Sequence, residues 1–221
     1  MSLTLISATP SPYARLNRIA LLEKHIPFTL HSEIPWHKSE TQTPKYNPLE
    51  KLPVLIFPDR DPIYDSSLIQ EYIVGKYADQ GPRLVTGDWE VDMRLRQVQV
   101  LGQGVMDAVV LKFFETARGK GKASKEWEER QERKIQGGFR AFEELVKNRP
   151  QGGEYLFGDE LTIADIAVGC AVGFVKFNGA LGEGWEERFP STARWFAGLD
   201  ERESFRSTRP VMFDIKPDQV I

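Results

Sequence analysis

The sequence predicts an α/β domain with a small mixed sheet over residues 1–80, then an all-helical bundle over residues 88–221, with a linker at 81–87. In the first part, short apolar runs alternate with helical runs in the order β-α-β and then β-β-α. A βαβ unit gives a parallel strand pair and a hairpin adds antiparallel strands, so the predicted sheet is mixed. After the break at residues 80–83, apolar residues keep a helical period and we find no convincing strand.

The first domain begins with a predicted strand at Leu3–Ile6. Ser11 is a candidate N-cap of the next helix, with Pro12 at the first helical position, where the missing N–H of proline costs nothing. A second strand is predicted over Phe28–Ile34, and residues 35–46 are polar and irregular.

The segment 47–76 combines three signals. Pro53 precedes a short apolar strand, which is a position where a strand tolerates proline. The turn-forming residues at 58–62 indicate that the next strand, at Ile63, returns antiparallel. Asp65-Ser66-Ser67 then precedes an apolar helical pattern, so a helix is predicted with an aspartate or a serine as N-cap.

The start of this helix has a chemical consequence. A helix N-terminus presents unpaired N–H groups and a partial positive charge, so it can receive a carboxylate, while the Asp65 side chain can bind an ammonium. Asp65 and Ser66 therefore could hold both ends of an α-amino acid, and the strand edge beside Leu52 could pair with an extended peptide. The alternative is a capped helix after a hairpin, with nothing bound.

The second domain is predicted to contain only helices. Thr162 and Asp165 have the spacing of a capping box, and the helix after them is apolar nearly all round, which predicts a buried central helix. The predicted helices lie at residues 89–117, 126–146, from Thr162, from Pro190 and at 202–208.

Composition narrows the function classes. The formal charge is −3 and no long basic run occurs, so nucleic-acid binding is not indicated. Cys170 is the single cysteine, so a disulfide framework is not possible and a reducing compartment is favoured. The start of the chain lacks the positive region of a signal peptide, and the longest apolar run, Ile163–Val175, is too short to span a bilayer. We therefore expect a cytoplasmic protein with no membrane partner.

Four motifs occur in order. Ser11-Pro12-Tyr13-Ala14 lies where thioredoxin-like proteins have C-P-x-C, and residues 47–55 are similar to N-P-x-G-K-[VIL]-P-x-L. Asp65-Ser66 is similar to an [ED]-S pair, and Leu161–Asp165 to a T-x-A-D capping box. Together they resemble the cytosolic glutathione S-transferases of serine type, over nearly the whole chain. The resemblance implies a thioredoxin-like N-terminal domain and an all-α C-terminal domain.

The resemblance also implies how glutathione is held. Pro53 is expected to be cis and to turn the backbone N–H and C=O of Leu52 toward the cysteinyl part of the peptide. The γ-glutamyl amine and carboxylate are expected at Asp65 and Ser66, in agreement with the helix argument above. The other expected contacts are Lys51 with the peptide and Lys38, or alternatively His37, with the glycyl carboxylate.

Ser11 is the catalytic residue that the resemblance implies. The thiol of glutathione is mostly protonated at neutral pH, and only the thiolate attacks well. Lowering a thiol pKa by about two units takes ~2.7 kcal/mol, and one hydrogen bond to a charged group contributes about 1.5–3 kcal/mol. One hydrogen bond from the Ser11 hydroxyl, at a helix N-terminus, is therefore strong enough to lower the thiol pKa by this amount. The alternatives are that Ser11 only caps the helix, or that Thr9, Ser7 or Tyr13 is the hydroxyl in question.

The chain also departs from the family pattern. Serine and alanine occupy the two cysteine positions of C-P-x-C. Thiol-transfer activities that depend on a catalytic cysteine are therefore not expected. Cys170 lies in the predicted buried helix and is expected to be a core residue. Glu50 replaces the usual glycine before Lys51, which puts the local turn in question.

The expected reaction joins the glutathione thiolate to a small hydrophobic electrophile, in detoxification, with glutathione as co-substrate and with no metal or other cofactor. The electrophile is expected between the two domains, with Trp36 as one candidate contact and four residues of the long helix as others: Met106, Asp107, Val110 and Phe114. The alternative is that these four helix residues are ordinary core or dimer-contact residues. The family implies a homodimer. The alternative functions are a glutathione-dependent isomerase, dehalogenase or peroxidase, a non-catalytic carrier of hydrophobic metabolites, and a scaffold.

Overall fold

The structure, a computed structural model, describes residues 2–35, 41–119 and 121–213 and the backbone of 219–220. The chain forms two compact units, Met1–Val85 with Glu203–Ile221, and Thr86–Arg202. The sequence prediction instead put all of 88–221 into one domain. No helix in the described ranges is both long enough and apolar enough to cross a membrane.

The sheet of the first unit is mixed. Strand β1 (Leu3–Ser7) lies parallel to β2 (Phe28–Ser32), and helix α1 (Pro12–Glu23) connects them. Strand β3 (Val54–Ile56) pairs antiparallel with β1, and β4 (Gln219–Val220) pairs antiparallel with β2, so the strand order is β3-β1-β2-β4. The sequence analysis was wrong to expect no strand after residue 80, because a two-residue strand leaves no recognisable pattern.

The predicted hairpin after β3 is reduced to a single bridge, in which the backbones of Leu55 and Ile63 exchange two hydrogen bonds. The next such pair would join Pro53 to Asp65, and proline has no N–H to donate. The Asp65 carbonyl instead accepts the N–H of Ile69 and begins a helix.

Two more helices complete this part of the first unit. Helix α2 (Thr43–Tyr46) occupies the end of the segment that we predicted to be irregular, and α3 (Ser66–Lys76) follows the bridge. Helix α3 ends over Lys24, whose fully buried side chain donates from Nζ to the Tyr77 carbonyl at 2.9 Å. Burial lowers the pKa of Lys24.

The second unit consists of five helices in its described part. Their bounds are α4 (Trp89–Thr116), α5 (Lys125–Lys147), α6 (Ile163–Asn178), α7 (Trp185–Arg188) and α8 (Pro190–Asp200). Every residue of α6 from Ile163 to Val175 is buried, as the sequence predicted. Helix α4 approaches α6 closely at Gly102, where a Cβ atom would lie 2.9 Å from the Ala167 carbonyl oxygen.

A short helix α9 (Glu203–Arg206) follows and belongs to the first unit. The buried guanidinium of Arg15 on α1 donates from Nη2 to the Phe205 carbonyl at 3.0 Å and from Nε to Thr208 Oγ1 at 3.3 Å. These bonds join residues about 190 positions apart and explain why the chain returns to the first unit after Arg202.

Two buried carboxylates fix helix starts in the second unit. Asp165 accepts from Leu156 N at 2.8 Å and Thr162 N at 2.9 Å, which confirms the predicted capping region of α6. Burial raises the pKa of Asp165, although these hydrogen bonds oppose the shift.

Glu143 of α5 is the second of these carboxylates and fixes the start of α8. Its oxygens accept from Ser191 N at 3.1 Å and from Thr192 N at 2.8 Å and Oγ1 at 2.9 Å. Burial favours a higher pKa for Glu143, but these hydrogen bonds outweigh it and lower the pKa to about 2.

Candidate functional site

The end of β1 brings two of the predicted site segments together. The register pairs Ile6 with Val54, so Pro53 lies level with Ser7 by the same antiparallel count. Ser7 is the last residue of β1, and Ser11 follows it by four residues. The segment with Pro53 and the start of α1 therefore meet at one end of the sheet.

The bridge next to β3 adds the third segment. Because Leu55 opposes Ile63, the antiparallel count puts Asp65 level with Pro53, and Ser66 level with Leu52. The sheet thus gathers the starts of α1, β3 and α3 at one edge. Pro12, Pro53 and the Asp65-Ser66 pair of the sequence motifs all lie there.

Ser11 is the N-cap of α1, with φ −71° and ψ 116°. Its Oγ accepts the N–H of Ala14 at 3.2 Å, and the side chain is half-buried. Within residues 2–35, 41–119 and 121–213, no group accepts the hydrogen of this hydroxyl. Capping uses only an oxygen lone pair, so the hydrogen stays available to donate to an anion.

The loop before β3 holds an unpaired piece of backbone. The Leu52–Pro53 peptide bond is cis, as the resemblance implied. Among the described residues, the N–H and C=O of Leu52 have no hydrogen-bond partner. An extended peptide could bind to both groups, as in strand addition.

Asn47 fixes this loop, a role that the sequence analysis missed. Its side chain is 2% exposed, donates from Nδ2 to the Lys51 carbonyl at 2.7 Å, and accepts from Leu49 N at 3.0 Å. Asparagine before proline is a turn signal because its side chain bonds to backbone two residues further on, so the sequence offered a clue. The Lys51 side chain itself is exposed.

Glu50, at the position of the family glycine, keeps the turn. Its φ is +53°, in the left-handed region that favours glycine, and its N–H donates to the Asn47 carbonyl at 2.9 Å. The departure from the motif therefore leaves the backbone shape in place at a cost of about 1–2 kcal/mol for a residue with a Cβ.

Asp65, and not a serine, is the N-cap of α3. Its Oδ1 accepts from Ser67 N at 3.0 Å and Leu68 N at 3.4 Å, and the side chain is exposed. Within the described ranges no donor bonds to Oδ2, so one carboxylate oxygen can still accept from an ammonium. Ser66 is 4% exposed and occupies the first position of the helix.

The remaining predicted residues divide into three groups. Lys38, its alternative His37, and Trp36 lie outside the described residues. Met106 is fully buried on α4. Asp107 and Phe114 are exposed and Val110 is half-exposed on the same helix.

Comparison with known proteins identifies the family. The models of the N-terminal and C-terminal domains of glutathione S-transferases match residues 10–74 and 125–198. A crystal structure of a glutathione S-transferase from Methylobacterium radiotolerans, in complex with glutathione sulfonate, is 40% identical, with a TM-score of 0.89 over 98% of this chain and 99% of that one. The chain belongs to the glutathione S-transferase family. Its predicted fold class is thereby confirmed.

Two other relatives of the transferase are similar over almost their full length. A glutathione S-transferase from Methylobacillus flagellatus, with glutathione bound, is 30% identical with a TM-score of 0.84, over 95% of this chain and 100% of that one. The uncharacterized GST-like protein YibF of Escherichia coli is 31% identical over 206 residues, which are 93% of this chain and 98% of YibF. The enzyme class expected from the sequence is supported by these matches.

Proposed function

We propose that this glutathione S-transferase binds glutathione at the shared edge of α1, β3 and α3 and transfers its thiolate to small hydrophobic electrophiles. The observation that supports this most strongly is the Ser11 hydroxyl, which caps α1 through its oxygen and keeps its hydrogen for another acceptor. A sulfur atom placed there would receive one hydrogen bond and the positive end of the helix dipole. Both interactions favour the thiolate over the thiol.

The peptide part of glutathione would use the backbone of Leu52 and the start of α3. The cysteinyl residue would pair with the N–H and C=O of Leu52, and the γ-glutamyl ammonium with Asp65. Ser66 would meet the γ-glutamyl carboxylate, and Lys51 could contact the peptide from its exposed position. Two relatives that are 40% and 30% identical were crystallised with glutathione sulfonate and glutathione, which supports this ligand.

The electrophile would meet the exposed side of α4. Asp107, Val110 and Phe114 have exposed surface there, whereas fully buried Met106 could act only by supporting its neighbours. Phe114 is 51% exposed and its ring lies 5.5 Å from that of Phe113, which gives an aromatic surface suited to an apolar substrate.

A homodimer is part of the proposal. Trp89, Met93 and Val100 on α4 are 73%, 45% and 59% exposed, and their spacing puts them along one side of the helix. Exposed apolar residues in a row are typical of contact surfaces. Light scattering of the purified protein would give the mass that distinguishes a dimer from a monomer.

The test of function is steady-state conjugation of glutathione to 1-chloro-2,4-dinitrobenzene. We expect Ser11→Ala to lower kcat about 10–100-fold, since a hydrogen bond to a charged group contributes about 1.5–3 kcal/mol. The affinity for glutathione, measured by calorimetry, should change only a few-fold. Asp65→Ala should show the opposite pattern, with weaker binding of glutathione.

The rival hydroxyls provide matched controls. Ser7→Ala, Thr9→Val and Tyr13→Phe each remove one hydroxyl from the same region, and each should leave kcat largely unchanged. Ser7 Oγ is buried and has no hydrogen-bond partner among the described residues, so it is out of reach of a ligand. Full activity of Ser11→Ala, or loss of activity in one of the controls instead, would refute the role of Ser11. Glutathione binding with no turnover in the wild type would support the carrier function.

A further inference from the structure

Glu33 follows β2 directly, and its buried carboxylate joins the end of that strand to the start of α2. Its backbone N–H donates to the Ser7 carbonyl at 2.9 Å, so the residue is also tied to the end of β1. The side chain is 5% exposed. One carboxylate oxygen accepts from Thr43 N at 3.0 Å and from Thr43 Oγ1, and the other accepts from Gln42 N at 2.6 Å. The first residues of α2 therefore give three hydrogen bonds to one side chain.

Helix α2 depends on this carboxylate for its N-terminal cap. Gln42 is its N-cap residue, and in the described part of the chain the Gln42 side chain makes no capping hydrogen bond. The N–H groups at a helix start need an acceptor, and a helix of four residues is too short to be stable alone. Glu33 supplies that acceptor from another element. It thereby fixes fully buried Thr43 against the end of the sheet.

A continuous series of hydrogen bonds leads from Thr43 to the backbone that is proposed to bind glutathione. The Thr43 carbonyl accepts the N–H of Asn47 at 2.9 Å, at the end of α2. The Asn47 side chain in turn donates to the Lys51 carbonyl at 2.7 Å. Leu52 follows immediately. Thr43 is thus bonded on both sides, to Glu33 before the helix and to Asn47 after it.

We propose that Glu33, acting through Thr43, is a positioning residue for the glutathione-binding loop, residues 47–52. The inference rests on the proposed function, because glutathione is the ligand of this loop. Glu33 acts by holding α2, so that Asn47 keeps the Leu52 backbone in one conformation before glutathione binds. A backbone that is already ordered loses less entropy on binding. Loss of the Glu33–Thr43 contact should therefore weaken glutathione binding and leave the chemical step at Ser11 unchanged.

Three variants test the Glu33–Thr43 contact. Glu33→Gln replaces one acceptor oxygen with an NH₂ group that cannot accept. Thr43→Val removes the hydroxyl at a similar side-chain volume, and Thr43→Ser keeps the hydroxyl and should behave as wild type. His31 Nε2 lies 3.5 Å from Glu33 Oε2, and the Thr43 variants leave this contact in place. If Glu33→Gln does not fold, the two Thr43 variants carry the test.

Two measurements are made on each variant. Amide hydrogen exchange of the free protein, followed by NMR, reports whether the loop is held. The N–H groups of Asn47 and Glu50, which donate to the Thr43 and Asn47 carbonyls, should exchange about ten-fold faster in Glu33→Gln and Thr43→Val. Calorimetry should show a Kd for glutathione about ten-fold higher, as expected if roughly one residue must be ordered again on binding. The kcat for conjugation at saturating glutathione should be unchanged.

Glu143→Gln is the matched control. Glu143 is also 5% exposed and also accepts two backbone N–H groups and one threonine hydroxyl, from Ser191 and Thr192, but it lies in the helical unit. It should destabilise the protein and leave both the exchange at Asn47 and the Kd for glutathione at wild-type values.

Three results would overturn the inference while the proposed function stands. These are unchanged exchange in Glu33→Gln and Thr43→Val, faster exchange with a wild-type Kd, and an equal rise of Kd in Glu143→Gln, since Kd would then follow overall stability. A wild-type protein that does not bind glutathione would instead refute the proposed function, and the inference with it.

Discussion

Asn47→Ala should destabilise the loop before β3, because the Asn47 side chain holds that loop in place. The substitution removes two hydrogen bonds, from Nδ2 to the Lys51 carbonyl at 2.7 Å and from Leu49 N to Oδ1 at 3.0 Å. A typical hydrogen bond contributes about 0.5–1.5 kcal/mol, and a buried partner left unpaired costs more, so we expect the free energy of unfolding to fall by about 2 kcal/mol. Urea denaturation followed by circular dichroism measures this change.

The same substitution should weaken glutathione binding. Lys51 immediately precedes Leu52, whose backbone is proposed to pair with the cysteinyl residue. If the loop must be ordered again on binding, fixing one residue costs about 1–2 kcal/mol, which is about a 5- to 30-fold rise in Kd. Calorimetric titration with glutathione gives this value.

Asn148→Ala provides the control for this prediction. Asn148 also donates from Nδ2 to a backbone carbonyl, that of Glu144 at 2.8 Å, but it is exposed and lies in the helical unit. It should change stability by less than about 1 kcal/mol and leave the Kd for glutathione unaltered. A destabilised Asn47→Ala protein with wild-type glutathione affinity would refute the positioning of Leu52 by this loop.

Substitutions at four further positions test the helical unit and the turn. Glu143→Gln should remove a pH dependence: because the folded pKa of about 2 is below the ordinary 4.5, the carboxylate stabilises by about 3 kcal/mol above pH 4.5 and loses this as the pH falls toward 2. Acid unfolding should therefore be shallower in the variant, and equal acid sensitivity would contradict the account. Gly102→Ala should cost about 1–3 kcal/mol by overpacking, whereas Gly104→Ala, with nothing within 4 Å, should stabilise by up to ~1 kcal/mol; equal melting temperatures would be the opposing result. Glu50→Gly should relieve the strain of about 1–2 kcal/mol at a φ of +53° but add an entropic cost of about 0.5–1 kcal/mol, for a net stabilisation of about 0.5–1 kcal/mol, and Glu50→Ala should be neutral. A destabilised glycine variant would show that the turn is not strained.

Long periodic segments of the fold could be predicted from the sequence, and short or distant elements could not. The central helix α6 is buried at thirteen consecutive positions, of which Asp165 alone is charged, so its burial was evident from the sequence. Strand β4 has two residues, and α7 has four, which is too short for any period to appear. The contact of Arg15 with Phe205 depends on tertiary packing across the chain, and no local pattern encodes it.

For the candidate site, the motifs located the residues but not the bonds between them. Pro53, Asp65 and Ser66 were placed by motif, and the sheet register brings them to one edge. The choice of Asp65 over serine as N-cap, and the role of Asn47, depend on side-chain rotamers that sequence does not fix. Glu50 shows the converse, since a residue that departs from the motif adopts the glycine conformation.

The central claim is that Ser11 stabilises a glutathione thiolate. The most direct measurement is the ultraviolet thiolate band of glutathione bound to the wild-type protein, followed as the pH is raised. The account predicts that the thiol pKa of bound glutathione falls about two units below its ordinary value near 8.5, and that Ser11→Ala restores most of the difference. A bound thiol that titrates near 8.5 in the wild type, or an equally low value in Ser11→Ala, would contradict it.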